Sequence, residues 1–319
     1  MRAYATEEAA LEDVLRLSEG MTYKSSLAGM NLGGGKACII GDPKMVEGRE
    51  ALFRRFGEFV DRLNGSYISA EDMGTSVTDM MQIRVSTNHV TGTDPKSGGG
   101  GDPSPWTAKG VFGAIRVACE RKFGSADLKG RRVAVQGVGH VGGYLTGHLV
   151  QAGAVVTVCD TNERAVEAMR QQYNVAVVPP DNIYDVSCDV FAPCAVGQTV
   201  NEVTIQRLDC AVIAGAANNQ LSDRSVYEIL RKREILYCPD FAINSGGVIC
   251  VGAEINPGGW KESWVEELVS RIPETTAKVL DRAAATGKFP DVVAIELAQE
   301  RIDRVRAEKQ ARGPGTSRL

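Results

Sequence analysis

Val133-Ala134-Val135-Gln136-Gly137-Val138-Gly139-His140-Val141-Gly142 is the stretch that decides the fold. A short apolar strand runs straight into G-x-G-x-x-G, and residues 141–151 follow with the spacing of a helix. Gly137 permits the tight turn. Gly139 lets a pyrophosphate approach the backbone at the helix N-terminus, and Gly142 allows the helix to pack closely on the strand. The next strand, residues 155–160, ends in Asp160, 18 residues past Gly142. An acid there accepts both ribose hydroxyls of an adenosine and disfavours a 2′-phosphate, which selects NAD over NADP. The glycine turn alone would also suit a βα connection without a ligand. Strand, turn, helix and acid together point to a dinucleotide.

The alternation continues with a helix at 163–172 and apolar strands near Val175, Val190, Val212 and Ile235, the pattern of a parallel doubly wound sheet. Past Asn244 the chain reads as mostly helical, with a break at Pro273 and a frayed polar tail at 313–319. On the N-terminal side, Thr6 caps a helix with Glu7 and Glu8 in its first turn and Gly20 as its stop. A buried strand is expected at 37–40, a second amphipathic helix at 50–63, and a strand at 66–70 with Glu71-Asp72 at its end. Residues 93–105 hold four consecutive glycines and three prolines. They read as a hinge or boundary loop before a helix starting near Thr107.

The 319 residues are 43% hydrophobic and 24% charged, enough for about two domains with their own cores. A net charge of −4 argues against nucleic-acid partners. The eight cysteines include no C-x-x-C pair and the three histidines no H-E-x-x-H, so neither a disulfide framework nor a metal site is expected. With no apolar run long enough for a membrane span and no signal-peptide pattern, the expectation is a cytoplasmic protein.

Gly33-Gly34-Gly35-Lys36 is not a Walker A loop, which needs Gly where Met30 stands and Ser or Thr where Ala37 stands. What remains is a lysine on a compact glycine backbone, with Lys24 as a second cation twelve residues earlier. Both could be solvated surface charges. Together with Asp72 they could instead serve a substrate bearing a carboxylate and an amine. One lysine would hold the carboxylate, the other would activate water, and the acid would pass protons to and from nitrogen.

Eight motifs, in order, resemble the Glu/Leu/Phe/Val dehydrogenases, most closely their leucine-acting branch. They are Met21-Thr22-Tyr23-Lys24, Gly33-Gly34-Gly35-Lys36, Ala70-Glu71-Asp72-Met73-Gly74, Asp102-Pro103-Ser104-Pro105, the turn from Gly137 to Gly142, Phe191-Ala192-Pro193-Cys194-Ala195, Ala214-Gly215-Ala216-Ala217-Asn218-Asn219-Gln220 and Ile243-Asn244-Ser245-Gly246-Gly247-Val248. The resemblance implies reversible oxidative deamination of a branched-chain L-amino acid to its 2-oxo acid and ammonium with NAD. It implies an α/β fold with a substrate domain at 1–108, a Rossmann-type dinucleotide domain at 109–284, and a C-terminal helix returning to the first domain at 285–319.

By position in these motifs, Lys36 matches the catalytic lysine and Asp72 the proton-transferring acid, while Lys24 matches the lysine that binds the substrate carboxylate. Ala70, Val248 and Val251 match the side-chain pocket. Gly137, Val138, Gly139, His140, Val141, Gly142, Asp160, Ala195, Thr107 and Asn218 match cofactor positions. Small aliphatic pocket residues favour leucine, valine or isoleucine and offer no cation for a γ-carboxylate. A phenylalanine dehydrogenase and a noncatalytic NAD-binding homologue are the alternatives. Against the family pattern, Met1-Arg2-Ala3-Tyr4 falls within the first domain, which is therefore expected to be incomplete at its N-terminal side. The missing part would supply strands, a glycine pair near the substrate carboxylate and part of the contact surface of a homo-oligomer.

Overall fold

The computed structural model describes residues 1–223 and 225–311. Helices α1 (Glu7–Leu27), α2 (Arg49–Arg62) and α3 (Val77–Ser86) form the first part, and α4 (Ser104–Phe123) leads out of it. The alternating part comprises β1 (Arg132–Gln136), α5 (His140–Gln151), β2 (Val155–Cys159), α6 (Glu163–Tyr173), β3 (Ala176–Val177), β4 (Val190–Pro193), α7 (Thr204–Arg207), β5 (Val212–Ile213), α8 (Ser225–Lys232) and β6 (Leu236–Tyr237). Helices α9 (Asp240–Ile243), α10 (Gly246–Gly252), α11 (Glu262–Ser270), α12 (Ile272–Thr286) and α13 (Pro290–Ala311) follow.

The sheet has six parallel strands in the order β3-β2-β1-β4-β5-β6. Strand order reverses between β1 and β4, the place where open α/β sheets bind ligands at their carboxyl ends. Both faces of the sheet are covered. Val133 and Val135 of β1 point into a core with Ile115 of α4 and Leu145 and Leu149 of α5. Ala134, between them, points the other way, towards Phe191, Ile213, Val226 and Leu230, the two-residue alternation of a strand.

Several local expectations need correction. Helix α1 does not stop at Gly20 but runs to Leu27. A mid-helix glycine costs only about 1 kcal/mol, and packing of the last turns against α13 outweighs it, with Ser26 Oγ donating to the Ala298 carbonyl at 2.8 Å. The strand expected at 37–40 is only a single parallel bridge, Arg2 to Ile40, and Ile40 is exposed. The strand expected at 66–70 is likewise one bridge, Ser69 to Val90. Each segment has one paired residue rather than a ladder, so apolar composition alone did not make a strand. Helix α4 starts at Ser104 rather than near Thr107, because the Asp102 carboxylate accepts the Ser104 N–H at 2.9 Å and Pro105 fits the first turn. The break at Pro273 is present, in the first turn of α12. The tail at 313–319 lies outside the described residues.

Helix α3 carries its own start signal in Ser76-Val77-Thr78-Asp79, a capping box. The same Asp79 takes a two-pronged bond from Arg49 of α2, both prongs at 2.7 Å. Leu145→Ala, at a site with no exposure between α5 and the sheet, is expected to lower stability by about 2–5 kcal/mol. Chemical denaturation of both proteins checks this.

Candidate active site

Three segments bring the predicted side chains to one cleft. Lys24 stands in the last turn of α1, where the helix dipole favours a cation. The loop bearing Lys36 lies directly on that helix. A side chain at Gly34 would fall 2.0 Å from the Ser18 carbonyl oxygen and 2.3 Å from Thr22 N, so glycine is required for the approach. The third segment bears Asp72 in a turn closed by Thr75 N–H to the Asp72 carbonyl at 3.0 Å.

Lys36 Nζ and an Asp72 carboxylate oxygen form a direct ion pair. Burial pushes Asp72 upward, but the Lys36 charge and hydrogen bond, the Met73 N–H and the Lys24 charge outweigh it and hold the carboxyl below its usual range. Lys24 donates to Asn218 Oδ1 at 2.9 Å, across to the loop after β5. Burial brings Lys24 down to about 8; Asp240 opposes this, Lys36 adds to it and Asp72 opposes it. A charged amine, an ion-paired acid and a second amine therefore share one cleft.

At the carboxyl end of β1, Gly137 has φ of +94°. A Cβ there would meet Ala195 Cβ at 2.7 Å, and one on Gly142 would meet the Gly137 carbonyl oxygen at 2.0 Å. Beside Gly139 the space is open, at the N-terminus of α5, where backbone N–H groups suit a phosphate. Val138 N–H donates to Asp160 Oδ2 and Asn162 N–H to Asp160 Oδ1, both at 2.8 Å. These bonds fix the carboxylate at the end of β2. The buried Asn244 Oδ1 has no hydrogen-bond partner among the described residues, while its Nδ2 donates to Asn218 Oδ1 at 2.9 Å. An open phosphate cradle and an orphaned acceptor on the cleft side fit a dinucleotide.

Val248 and Val251 are half-buried on α10, Val248 against a cluster that includes Trp106 and Ile249. Thr107 is buried in the first turn of α4 over Gly247, where a Cβ would lie 2.9 Å from its Oγ1. Ala70 is exposed on the opposite segment, just before Glu71-Asp72. The structure thus joins Lys36 to Asp72 and Lys24 to Asn218 directly. Sequence reasoning missed Asp240 and Glu254. Asp240 follows a proline beyond a strand, a faint signal. Glu254 had none, since its partners, the Gly92 and Gly100 N–H groups and the Thr93 hydroxyl, lie far from it in sequence.

Two family models match the chain: Glu/Leu/Phe/Val dehydrogenase, dimerisation domain, over residues 2–89, and Glutamate/Leucine/Phenylalanine/Valine dehydrogenase over residues 159–313. The chain belongs to the Glu/Leu/Phe/Val dehydrogenase family. It is 46% identical to the leucine dehydrogenase of Thermoactinomyces intermedius, covering 96% of this chain and 83% of that one. It is 40% identical to the valine dehydrogenase of Streptomyces virginiae, over 95% of this chain and 85% of that one. The crystal structure of L-tryptophan dehydrogenase from Nostoc punctiforme superposes with a TM-score of 0.83 at 38% identity, covering 96% and 87% of the two chains. This is an amino acid dehydrogenase, from a family that uses NAD or NADP. Among the described residues no helix is long and apolar enough to cross a membrane.

Gly137→Ala forces a side chain into the left-handed region and against Ala195. Fluorescence titration with NADH should show binding weakened about tenfold or more, since about 1.4 kcal/mol of misfit suffices for that factor.

Proposed function

We propose that the chain catalyses the reversible, NAD-dependent oxidative deamination of a branched-chain L-amino acid, leucine, valine or isoleucine, to its 2-oxo acid and ammonium. The observation that carries this is the Lys36–Asp72 ion pair beside Lys24 in one cleft. A bound nicotinamide would accept the hydride from the substrate Cα. Lys24 would hold the substrate carboxylate by charge. Lys36, having passed its own proton to solvent, would take a proton from the water that attacks the iminium carbon. Asp72, held as a carboxylate by its neighbours, would take a proton from the substrate ammonium before hydride loss. It would return a proton to nitrogen as the C–N bond breaks and ammonia leaves, and would take the hydroxyl proton as the 2-oxo group forms.

Gly137 to Gly142 would hold the pyrophosphate, with Thr107, Ala195 and Asn218 towards the nicotinamide. Asp160 supports NAD over NADP, because a fixed carboxylate repels a 2′-phosphate. Ala70, Val248 and Val251 would line the side-chain pocket, where the valines leave an apolar wall without a cation. A homo-oligomer in the cytoplasm is part of the same proposal. The dimerisation-domain match, the exposed Leu11 and Leu15 of α1, the exposed Phe59 of α2 and the exposed Leu63 directly after it support an oligomer.

NADH formation with leucine, valine, isoleucine, phenylalanine and glutamate tests the substrate class. The branched-chain substrates should have the highest kcat/KM, and a higher value for phenylalanine or glutamate would reject the assignment. Lys36→Ala and Asp72→Asn should each lower kcat by about 10²–10⁴-fold, with NADH binding retained. NADH binding without turnover in the unaltered chain would instead identify a noncatalytic homologue.

For Asp160→Ser the expected outcome is a shift of the NAD:NADP preference by about tenfold or more towards NADP. Steady-state kinetics with both cofactors measures it, and an unchanged ratio would remove Asp160 from cofactor choice.

A further inference from the structure

Asp240 begins α9, immediately after Pro239, and is only 7% exposed. Its carboxylate is directed at backbone. Oδ2 accepts the Gln220 N–H at 2.9 Å, Oδ1 accepts the Phe241 N–H at 2.6 Å, and the Asn219 N–H donates to the same group. Asn219 has φ of +51°, so the turn that Asp240 holds passes through the left-handed region. Directly before it stands Asn218, whose Oδ1 receives both Lys24 Nζ and Asn244 Nδ2 at 2.9 Å. The buried Gln220 side chain adds bonds to the Gly215 and Ala217 carbonyls at 2.7 and 3.0 Å. A continuous set of contacts therefore runs from a buried carboxylate, through a constrained turn, to the amine in the cleft. With backbone donors on both oxygens, an amide in this place would set an NH₂ against an N–H.

We propose that Asp240 is a positioning residue for amino-acid binding. Its carboxylate fixes the turn at residues 218–220 so that Asn218 holds Lys24 in place. The proposal rests on the assignment of Lys24 as the group that binds the substrate carboxylate. The charges facing Lys24 are Asp240, Lys36 and Asp72. Asp240 faces Lys24 and Tyr237, and a cavity of about 170 Å³ behind the turn is bordered by Asp240 itself, Tyr237, Arg16, Tyr227 and Asp291. Burial pushes Tyr237 well up, so it stays neutral, whereas Lys24 comes down to about 8. An amine lowered in this way is charged below about pH 8 and loses its charge above it. Removing a neighbouring negative charge moves that loss to lower pH.

The test is the pH dependence of the leucine KM in the unaltered enzyme, Asp240→Asn, Lys24→Ala and Asn218→Ala, with NAD saturating and the NAD KM as control. Asp240→Asn should raise the leucine KM about tenfold or more, a larger factor than its effect on kcat or on the NAD KM. The alkaline rise in KM should begin at lower pH than in the unaltered enzyme. Combined with Asn218→Ala, its effect should be less than the product of the two single effects, because both act through Lys24. An unchanged KM profile, or strictly multiplicative effects, overturns the proposal. If Lys24→Ala itself leaves the leucine KM unchanged, the assignment of Lys24 fails. If Lys24→Ala raises KM and Asp240→Asn does not, only the role of Asp240 fails. Should Asp240→Asn not fold, Asp240→Glu keeps the charge but displaces it by one methylene. A raised KM with an unmoved pH break supports the proposal, and an unaltered KM rejects it.

Discussion

The half-buried ammonium of Lys24 sets the terms for the rest of this cleft. Taking a charge out of water is costly unless something compensates it. Here the direct partner is a neutral amide oxygen, that of Asn218. Compensation comes from farther off: the carboxyl end of α1, Asp240 and Asp72, with Lys36 working against them. Such an arrangement leaves the amine under-neutralised. An incoming carboxylate would complete it, whereas a neutral or cationic group in the same place would not. The Lys36–Asp72 pair is the reverse case, two charges already neutralised in contact. One cleft thus holds an under-neutralised cation and, beside it, an ion pair in contact, the arrangement on which the proposed roles rest.

The fold supplies this by tying the end of α1 to elements that rest on the sheet. Arg301 of α13 donates to the Gly29 and Met30 carbonyls at 2.8 and 2.9 Å and to Asn31 Oδ1 at 2.9 Å, just past Lys24. Residues 30 and 32 in turn lie against α10, where a side chain on Gly252 would meet Met30 Cε at 2.0 Å. Helix α13 packs on α12 and α12 on α4, whose Val111, Ala114, Ile115 and Ala118 are wholly buried. The position of Lys24 is therefore referred back to the same core that fixes Gly137 and Asn218.

The nucleotide half was legible because its signals are local. A glycine that only φ of +94° explains, an acid at the next strand end and alternating apolar runs are all written within short windows. The first half was less legible. Residues 37–40 look like a strand in composition, but whether they form one depends on a neighbour, and the structure gives Ile40 a single partner in Arg2. Gly20 looks like a helix stop until the packing of Ser25 and Ser26 on α13 is known. In the site, lysines and an aspartate could be singled out by residue type and motif. The supports could not: Asp240 and Glu254 act on backbone groups distant in sequence, and a backbone N–H has no letter.

Glu254 also alters how the glycine-rich segment should be understood. Its composition suggested a hinge, yet one carboxylate accepts Gly92 N–H at 3.1 Å, Gly100 N–H at 3.0 Å and Thr93 Oγ1 at 3.3 Å. Hydrogen bonds to a charged group are worth about 1.5–3 kcal/mol each, so releasing the segment means breaking three of them together and stranding a partly buried carboxylate. Across the cleft, by contrast, Lys24 reaches Asn218 through one bond. Of the two connections, the cleft contact is the cheaper to break. Residues 92–100 are thereby held to the segment that directly follows α10. Glycine in this segment serves close approach rather than motion: a side chain at Gly99 would fall 2.0 Å from the Thr93 carbonyl oxygen, and one at Gly100 2.5 Å from Trp260 Nε1.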